Sequence, residues 1–255
     1  MLVTWTTLSG LECWLVDALA QRGPPLEAYV FVLASTVSFP ESAFVPIAVG
    51  FFGLATGYLI YGAEELFKLP ARSRPVDLTT GIWGIWMPGF MQFLTGVYLF
   101  AGLTWFHSFR EKTLYMTALA FTAYGVHWFA MGMARALGGD PRPNAFMAVS
   151  FIFISVLGII VFFRAHDAPV GGLFIGLTCV YVSDFFATLF LHMPPIRGPS
   201  EPGVAQAPPP RPEPTALSEL GERALGFFHL GTGLWLIYLT FAATLNIASG
   251  MDLPL

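Results

Sequence analysis

The sequence predicts an all-α membrane protein, a bundle of six transmembrane helices with an N-terminal amphipathic extension. Its 255 residues are 55% hydrophobic and only 11% charged, whereas soluble domains carry roughly 25% charged residues. Mean hydropathy is +0.67. The chain also contains six long apolar runs, each close to or above the ~20 residues that a helix needs to cross a bilayer. Because hydrocarbon offers no partners to backbone amides, such runs are expected to be helices.

The six runs form a predicted transmembrane domain over residues 43–255. They lie at about 43–63, 79–105, 114–137, 145–163, 169–192 and 222–247. Most connections between them are short and are charged or rich in proline and glycine, as turns are. The exception is 193–221, whose many prolines predict an extended, solvent-exposed loop with polyproline character.

Residues 1–42 are predicted to form a separate N-terminal extension. Leucines recur at helical spacing from Leu8 to Leu19, which predicts a short amphipathic helix at the membrane interface or on a partner. The apolar stretch 27–39 is too short to span a hydrocarbon core of about 30 Å. A re-entrant or surface segment is therefore expected there.

Charge predicts an orientation and excludes one class of partner. The 12 basic residues divide 4 to 8 between the side that holds the termini and the opposite side. By the positive-inside rule, both termini are then expected outside the cytoplasm, with the chain crossing the cytoplasmic (inner) membrane several times. The net charge of −4 is small and spread out, so no nucleic-acid partner is expected.

Motifs for enzyme chemistry are absent from the sequence. It contains no P-loop, no dinucleotide-binding fingerprint, no cluster with zinc-ligand spacing and no nucleophile elbow. An enzyme is therefore not predicted, and neither a metal nor a cofactor is expected.

Five segments together resemble the acetate uptake transporter family, the succinate–acetate permeases of bacteria and fungi. They are PIAVGFFGLAT (46–56), GFMQFLTG (89–96), TALAFTAYGVHWF (117–129), GLTCVY (176–181) and LIYLTFAATLNIASGMDLPL (236–255). The resemblance covers about 44–255. It implies a hexamer of six-helix subunits with both termini in the cytoplasm, which is opposite to the orientation that the charge count predicts.

The resemblance also implies a narrow apolar gate made by Phe52, Tyr124 and Leu177. A ring of apolar side chains can gate a pore by dewetting, and a tyrosine hydroxyl can hand a carboxylate across the constriction. Without the resemblance, three bulky side chains would more often be read as packing in the core of the bundle.

Polar residues inside the apolar runs are further candidates for a site. Asp184 lies mid-run, where a carboxylate costs roughly 2.5–3.5 kcal/mol, so it should face the interior. A pore-lining or proton-relay role is predicted for Asp184, the alternative being a buried carboxyl bonded to a neighbouring helix. His127 shares a helix face with the gate tyrosine and could pass a proton or steady an anion. Gln92 should hydrogen-bond across helices or line the pore, while Glu64 and Glu65 are expected to lie solvated at the interface.

The sequence leaves three functions open. The first is a channel or proton-coupled transporter for acetate or similar small monocarboxylates. The second is a structural or accessory subunit of a larger membrane complex, suggested by the N-terminal extension and the Pro-rich loop, in which histidines would ligate haem or a chlorophyll-type pigment. The third is a channel for small neutral amides such as urea. The expected partners are the lipid bilayer, the solute, and either further copies of the chain or the subunits of that complex.

Overall fold

The computed structural model describes residues 44–192 and 213–254. Within these ranges the chain forms six helices and contains no β-strand, only an isolated bridge between His192 and Glu213. The predicted all-α bundle of six helices is confirmed. The predicted N-terminal extension and most of the Pro-rich loop lie outside the described residues.

The six helices are labelled in chain order. They are α1 (Phe44–Phe67), α2, α3 (Thr113–Leu137), α4 (Pro143–Arg164), α5 (Ala168–Leu189) and α6 (Ala216–Ser249). Helix α2 is composite: Arg74–Gly84 and Met91–Phe100 are α-helical, and Ile85–Phe90 and Ala101–Trp105 are π-helical. In the described ranges α1, α4, α5 and α6 are long and apolar enough to cross a membrane. At about 37 Å, α3 is also long enough, but the polar side chains on its buried face lower its hydropathy.

The π-helical turn of α2 accommodates a proline. Pro88 lies inside Ile85–Phe90. A proline has no amide hydrogen and its ring clashes with the preceding turn of an α-helix, and a wider turn relieves that clash. Gly57 of α1 faces this ring, since a Cβ at position 57 would lie 2.6 Å from Pro88 Cγ. Glycine is therefore required at 57 for α1 to pack against the irregular turn.

Side-chain partners extend two helices beyond the apolar runs. Helix α6 begins at Ala216 rather than near 222, because Thr215 and Ser218 form a capping box. Helix α1 continues to Phe67 rather than ending near 63. The expectation that Glu64 is solvated is wrong, since its exposed fraction is 2%. Glu65 is also largely buried, with only 13% of its side chain exposed.

The C-terminal tail folds back onto the end of α6. The Asn246 amide donates to the Leu253 carbonyl at 2.8 Å and accepts from the Leu253 amide at 2.8 Å. The Tyr238 hydroxyl donates to the Pro254 carbonyl at 2.9 Å. Leu253 and Pro254 are therefore held against α6, a contact here termed the C-terminal clip.

Replacing Asn246 with alanine should release this tail. Two hydrogen bonds are lost, so amide exchange at Leu253 should accelerate by about ten- to a hundredfold. Hydrogen exchange measured by mass spectrometry on the C-terminal peptide checks this, with Ser249→Ala as the matched control. Unchanged exchange in Asn246→Ala would contradict the clip.

Candidate functional site

A wide cavity of about 840 Å³ lies at the end of the bundle where α1, α3 and α5 end and α2, α4 and α6 begin. Its rim carries charges of both signs, including Lys68, Arg74 and Glu222. Lys68 Nζ lies 2.5 Å from Glu222 Oε2. The cavity floor is aromatic and includes Tyr58 and Trp128. A solute entering here would pass from a charged rim to a floor within the bundle.

A narrow cavity of about 60 Å³ lies near the opposite ends of α1, α3 and α5. Thr113, Thr117 and Asp167 are its polar lining, and the rest is mostly apolar. Asp167 caps α5, its carboxylate accepting from the Val170 amide at 3.0 Å. Partial burial raises the pKa of the Asp167 carboxyl above its ordinary value, and the bond from Val170 opposes that rise.

One turn of helix separates the two cavities. Leu54, Tyr124 and Leu177 line the narrow cavity, and Tyr58, Trp128 and Tyr181 line the wide cavity. On each of α1, α3 and α5 the two residues are four positions apart, which is about 6 Å along the helix axis. These six residues, here termed the barrier layer, are all buried. The barrier layer lies between the two cavities.

The hydroxyl of Tyr124 is held to one side of the barrier layer. It lies 2.9 Å from Ser155 Oγ, and Ser155 Oγ donates to the Phe151 carbonyl at 2.8 Å. Because the single hydroxyl hydrogen of Ser155 is used in that second bond, Tyr124 is the donor in the first. The Tyr124 ring also packs 5.7 Å from the Tyr181 ring, centroid to centroid.

The structure brings together two of the three residues predicted to form the gate. Tyr124 and Leu177 both line the narrow cavity, but Phe52 lies on the outer surface with 44% of its area exposed. Phe51 is the buried phenylalanine of this turn, with its ring 5.6 Å from that of Phe121. Adjacent helix positions differ by 100°, so only one of the two phenylalanines can face inward.

The predicted polar residues separate into two groups. Asp184, whose exposed fraction is 8%, and His127 both line the wide cavity. His127 Nδ1 lies 3.4 Å from the Tyr181 hydroxyl. Gln92 is fully buried but lines neither cavity, and its amide has no hydrogen-bond partner in the part of the chain that the structure describes. The cross-helix hydrogen bond expected of Gln92 is therefore absent from this part.

Sequence reasoning missed three unpaired polar atoms at the cavity floor. Tyr58 Oη, Trp128 Nε1 and His127 Nε2 are buried and have no hydrogen-bond partner among the described residues. Buried polar groups are normally paired, and leaving one unpaired costs about 1–3 kcal/mol. The sequence signal was weak, because a tyrosine and a tryptophan in an apolar run usually indicate packing or an interface.

A cluster of buried charges lies at the rim of the wide cavity. Arg135 of α3 donates to the Glu64 carboxylate of α1, and its Nη2 lies 3.1 Å from Asp77 Oδ1 of α2. The Thr80 hydroxyl also donates to Glu64. The guanidinium of Arg135 lies 4.7 Å from the centroid of the Tyr61 ring. These five residues, the rim cluster, join three helices at one side of the cavity.

Glu65 has its own partner on α6. His229 Nδ1 lies 2.6 Å from Glu65 Oε2, and the His229 ring lies 4.4 Å from the Tyr58 ring, centroid to centroid. This pair connects the cavity floor to α6. Because a carboxylate oxygen only accepts hydrogen bonds, His229 Nδ1 is the donor in this contact.

Comparison with known proteins supports the fold. No protein-family model matches the chain, and no curated protein sequence matches it. Among solved structures, that of the bacterial acetate channel SatP is similar, with a TM-score of 0.55 and 17% sequence identity. The similarity covers 82% of this chain and 97% of that chain. The protein therefore has a SatP-like helical fold and is an integral membrane protein.

Proposed function

We propose that this protein is a channel or transporter that carries acetate or similar small monocarboxylates across a membrane. The SatP-like fold supports the class of function. The single observation that carries the proposal is the pair of cavities reaching from opposite ends of α1, α3 and α5 to within one helical turn of each other. A bundle that served only as a structural subunit would not need such a nearly continuous path.

In this proposal the solute enters through the wide cavity, and the barrier layer determines which solutes can pass. The rim carries charges of both signs, and Lys68 is paired with Glu222, so the rim offers a hydrated entrance to a small polar solute. The closely packed, largely aromatic barrier layer excludes water and hydrated ions, because a dry constriction offers no replacement for a hydration shell. A small solute would pass when side chains such as Leu177 change rotamer.

The proposal assigns roles to the candidate residues. Tyr124 and Leu177 act as the gate, together with Phe51 in place of Phe52, whose side chain faces outward. Asp184 and His127 line the path on the wide-cavity side. Gln92 has no role in this path, because it lines neither cavity.

Cysteines placed in the two cavities test the path. Thr117 lines the narrow cavity, Thr188 lines the wide cavity, and Thr240 lines neither. All three hydroxyls donate to the carbonyl four residues earlier. A cysteine at each position is therefore a matched substitution. Each variant is reconstituted in liposomes and treated with a bulky, charged thiol reagent, and uptake of radiolabelled acetate is measured.

We expect the reagent to block most acetate uptake in Thr117→Cys and Thr188→Cys and to leave Thr240→Cys unchanged. The native chain, which contains Cys13 and Cys179, is treated in parallel as the reagent control. Liposomes without protein give the background from acid that crosses lipid unaided. Uptake equal to that background in the native chain would refute the proposal, and block in only one variant would refute the continuous path.

The other predictions about assembly stay predictions. The hexamer, the cytoplasmic membrane and the orientation of the termini are expectations from the sequence. The accessory-subunit hypothesis rested on the N-terminal extension and the Pro-rich loop, and residues 1–43 and 193–212 lie outside the described part of the chain.

A further inference from the structure

The connection between α2 and α3 carries the two most exposed aromatic side chains in the part of the chain that the structure describes. The exposed fractions of Trp105 and Phe106 are 77% and 74%. Both residues lie at the end of the bundle that holds the narrow cavity, where α2 ends and α3 begins. Two adjacent large apolar side chains outside the bundle indicate a contact with another molecule.

The segment 105–112, here termed the aromatic–basic loop, folds back onto the last turns of α2. The amides of Ser108 and Phe109 donate to the Gly102 carbonyl at 2.9 and 3.4 Å. The Phe109 ring lies 5.5 Å from the Tyr98 ring, centroid to centroid, and it covers Gly102 so closely that a Cβ there would clash with it. The loop therefore turns one aromatic side chain inward, and the exposed pair is part of the same folded turn.

The length of α2 places this loop at the surface of the bilayer. The helix runs from Arg74 to Trp105, which is about 48 Å at 1.5 Å per residue. The hydrocarbon core is about 30 Å thick, and a bilayer with its headgroup layers is about 40–45 Å thick. The two ends of α2 therefore reach opposite headgroup layers, where tryptophan side chains are enriched in membrane proteins.

The aromatic–basic loop also carries basic side chains that are not neutralised. Arg110 and Lys112 are exposed, and neither has an ion-pair partner within the described ranges. Glu111 lies between them, and its carboxylate accepts from the Arg110 amide at 3.2 Å. The loop therefore presents two positive charges against one negative charge. Arg164, at the end of α4, is a further exposed base at this end of the bundle.

Basic residues at the opposite end of the bundle are mostly neutralised. Four of the six that the structure describes there form ion pairs, namely Lys68 with Glu222, Arg72 with Asp77, Arg135 with Glu64 and Arg142 with Asp140. Pairing cancels most of the field that would attract an anion. An anionic partner is therefore attracted to the aromatic–basic loop more strongly than to the wide-cavity end.

We propose that the aromatic–basic loop is a binding site for an anionic phospholipid of the surrounding bilayer. Trp105 and Phe106 contact the upper part of its acyl chains, and Arg110 and Lys112 donate to its phosphate oxygens. This inference goes beyond the proposed function and is independent of it, because none of these four residues lines either cavity.

The charges of the loop determine which headgroup it prefers. A phosphatidylglycerol headgroup carries a phosphate and no cation. A phosphatidylcholine headgroup places a trimethylammonium group beside its phosphate, and Arg110 and Lys112 repel that group. The aromatic contacts are the same for both lipids, since they involve only the acyl chains. The loop should therefore bind both lipids through its rings and distinguish them through its two basic residues.

Native mass spectrometry of the full chain in detergent, titrated with either lipid carrying the same acyl chains, tests the proposal. Each bound lipid is resolved by its mass, so the affinity of the first one can be measured. We expect phosphatidylglycerol to bind the native chain about five- to tenfold more tightly than phosphatidylcholine. Two free cations would give a larger ratio, but Glu111 offsets one of them.

Charge variants should change this ratio. In the double variant Arg110→Gln with Lys112→Gln, the two lipids should bind equally. The single variant Lys112→Gln should lower the ratio about two- to threefold, and Lys112→Arg should keep it because the charge is kept. Arg142→Gln is the matched control, since it removes an exposed basic residue at the opposite end of the bundle, and it should keep the native ratio.

Aromatic variants should change the affinities without changing the ratio. Trp105→Ser combined with Phe106→Ser should weaken both lipids about tenfold, because the acyl-chain contact is common to them. Phe153→Ser is the control, since Phe153 is 72% exposed in the middle of α4, and both affinities should stay at the native value.

Three results would overturn the proposal. The first is equal binding of the two lipids by the native chain, or a preference that survives in the double glutamine variant. The second is binding of soluble glycerol 3-phosphate as tight as that of phosphatidylglycerol, since the site would then recognise a free phosphate ester. The third is a change of oligomeric mass in the double serine variant, which would assign the aromatic pair to a contact between copies of the chain. None of them affects the transport path, which the cysteine variants test separately.

Discussion

Replacing Arg135 with methionine should destabilise the folded protein by about 3–5 kcal/mol, which is the usual cost of removing one partner from a buried ion pair. Glu64 would remain buried with its charge, because only 2% of its side chain is exposed. Asp77 would lose its contact with Arg135 and keep the one with Arg72, whose Nε lies 3.1 Å from Asp77 Oδ1. The contact between the guanidinium and the Tyr61 ring would be lost as well.

Thermal unfolding in detergent, followed by size-exclusion chromatography of heated samples, measures this effect. Arg142→Met is the matched control, since Arg142 pairs with Asp140 where both side chains are well exposed, and its melting temperature should hardly change. Adding Glu64→Gln to Arg135→Met should recover part of the stability, because it removes the buried charge and keeps an acceptor for Thr80. Equal melting temperatures for the Arg135 and Arg142 variants would show that the rim cluster contributes no stability.

Truncating Leu177 to alanine should raise acetate flux about tenfold, since lowering the barrier by 1.4 kcal/mol is enough for that change. Leu177 is buried in the barrier layer and lines the narrow cavity. Its loss would let water enter the dry constriction. Phe51→Ala should act in the same direction, whereas Phe52→Ala should leave the flux unchanged because that side chain faces outward. Uptake of radiolabelled acetate into liposomes gives the comparison.

The adjacent phenylalanines make this a sharp test of the gate. The two substitutions are chemically identical and lie one residue apart on α1. A larger effect of Phe52→Ala than of Phe51→Ala would restore Phe52 to the gate and contradict the assignment of Phe51.

Tyr124→Phe removes only the hydroxyl and keeps the ring in the gate. We expect it to change acetate flux little, because the hydroxyl of Tyr124 is bonded to Ser155 rather than directed along the path.

Long-range polar pairs limited what could be predicted about the site. The inward position of Asp184 could be predicted, because a carboxylate facing lipid is costly at any register. The burial of Glu64 could not, since its partner Arg135 lies 71 positions further along the chain. A carboxylate at the end of an apolar run is predicted to be solvated unless the cation that pairs with it is known.

Helix boundaries were also predicted only in part from the apolar runs. The predicted run 79–105 begins in the structure at Arg74, where Ser73 accepts from the Val76 amide and Pro75 occupies the first turn. Hydropathy does not detect this start, because the first turn of α2 is polar. The π-helical turn around Pro88 could not be predicted from hydropathy either, because hydropathy is averaged over a segment and the residues of this turn are apolar like their neighbours.

By itself, the sequence determined that the described chain is a helical membrane bundle and that Asp184 faces its interior. Both follow from transfer free energies, which depend on composition along each segment and need no knowledge of neighbours. Only the tertiary structure decided that Phe51 rather than Phe52 faces inward and that Glu64 meets Arg135. It also decided that Tyr58 Oη and Trp128 Nε1 have no hydrogen-bond partner among the described residues. In a helix that is apolar on every side, hydropathy is the same in all directions, so the packing of the other helices alone selects the face that lines the path.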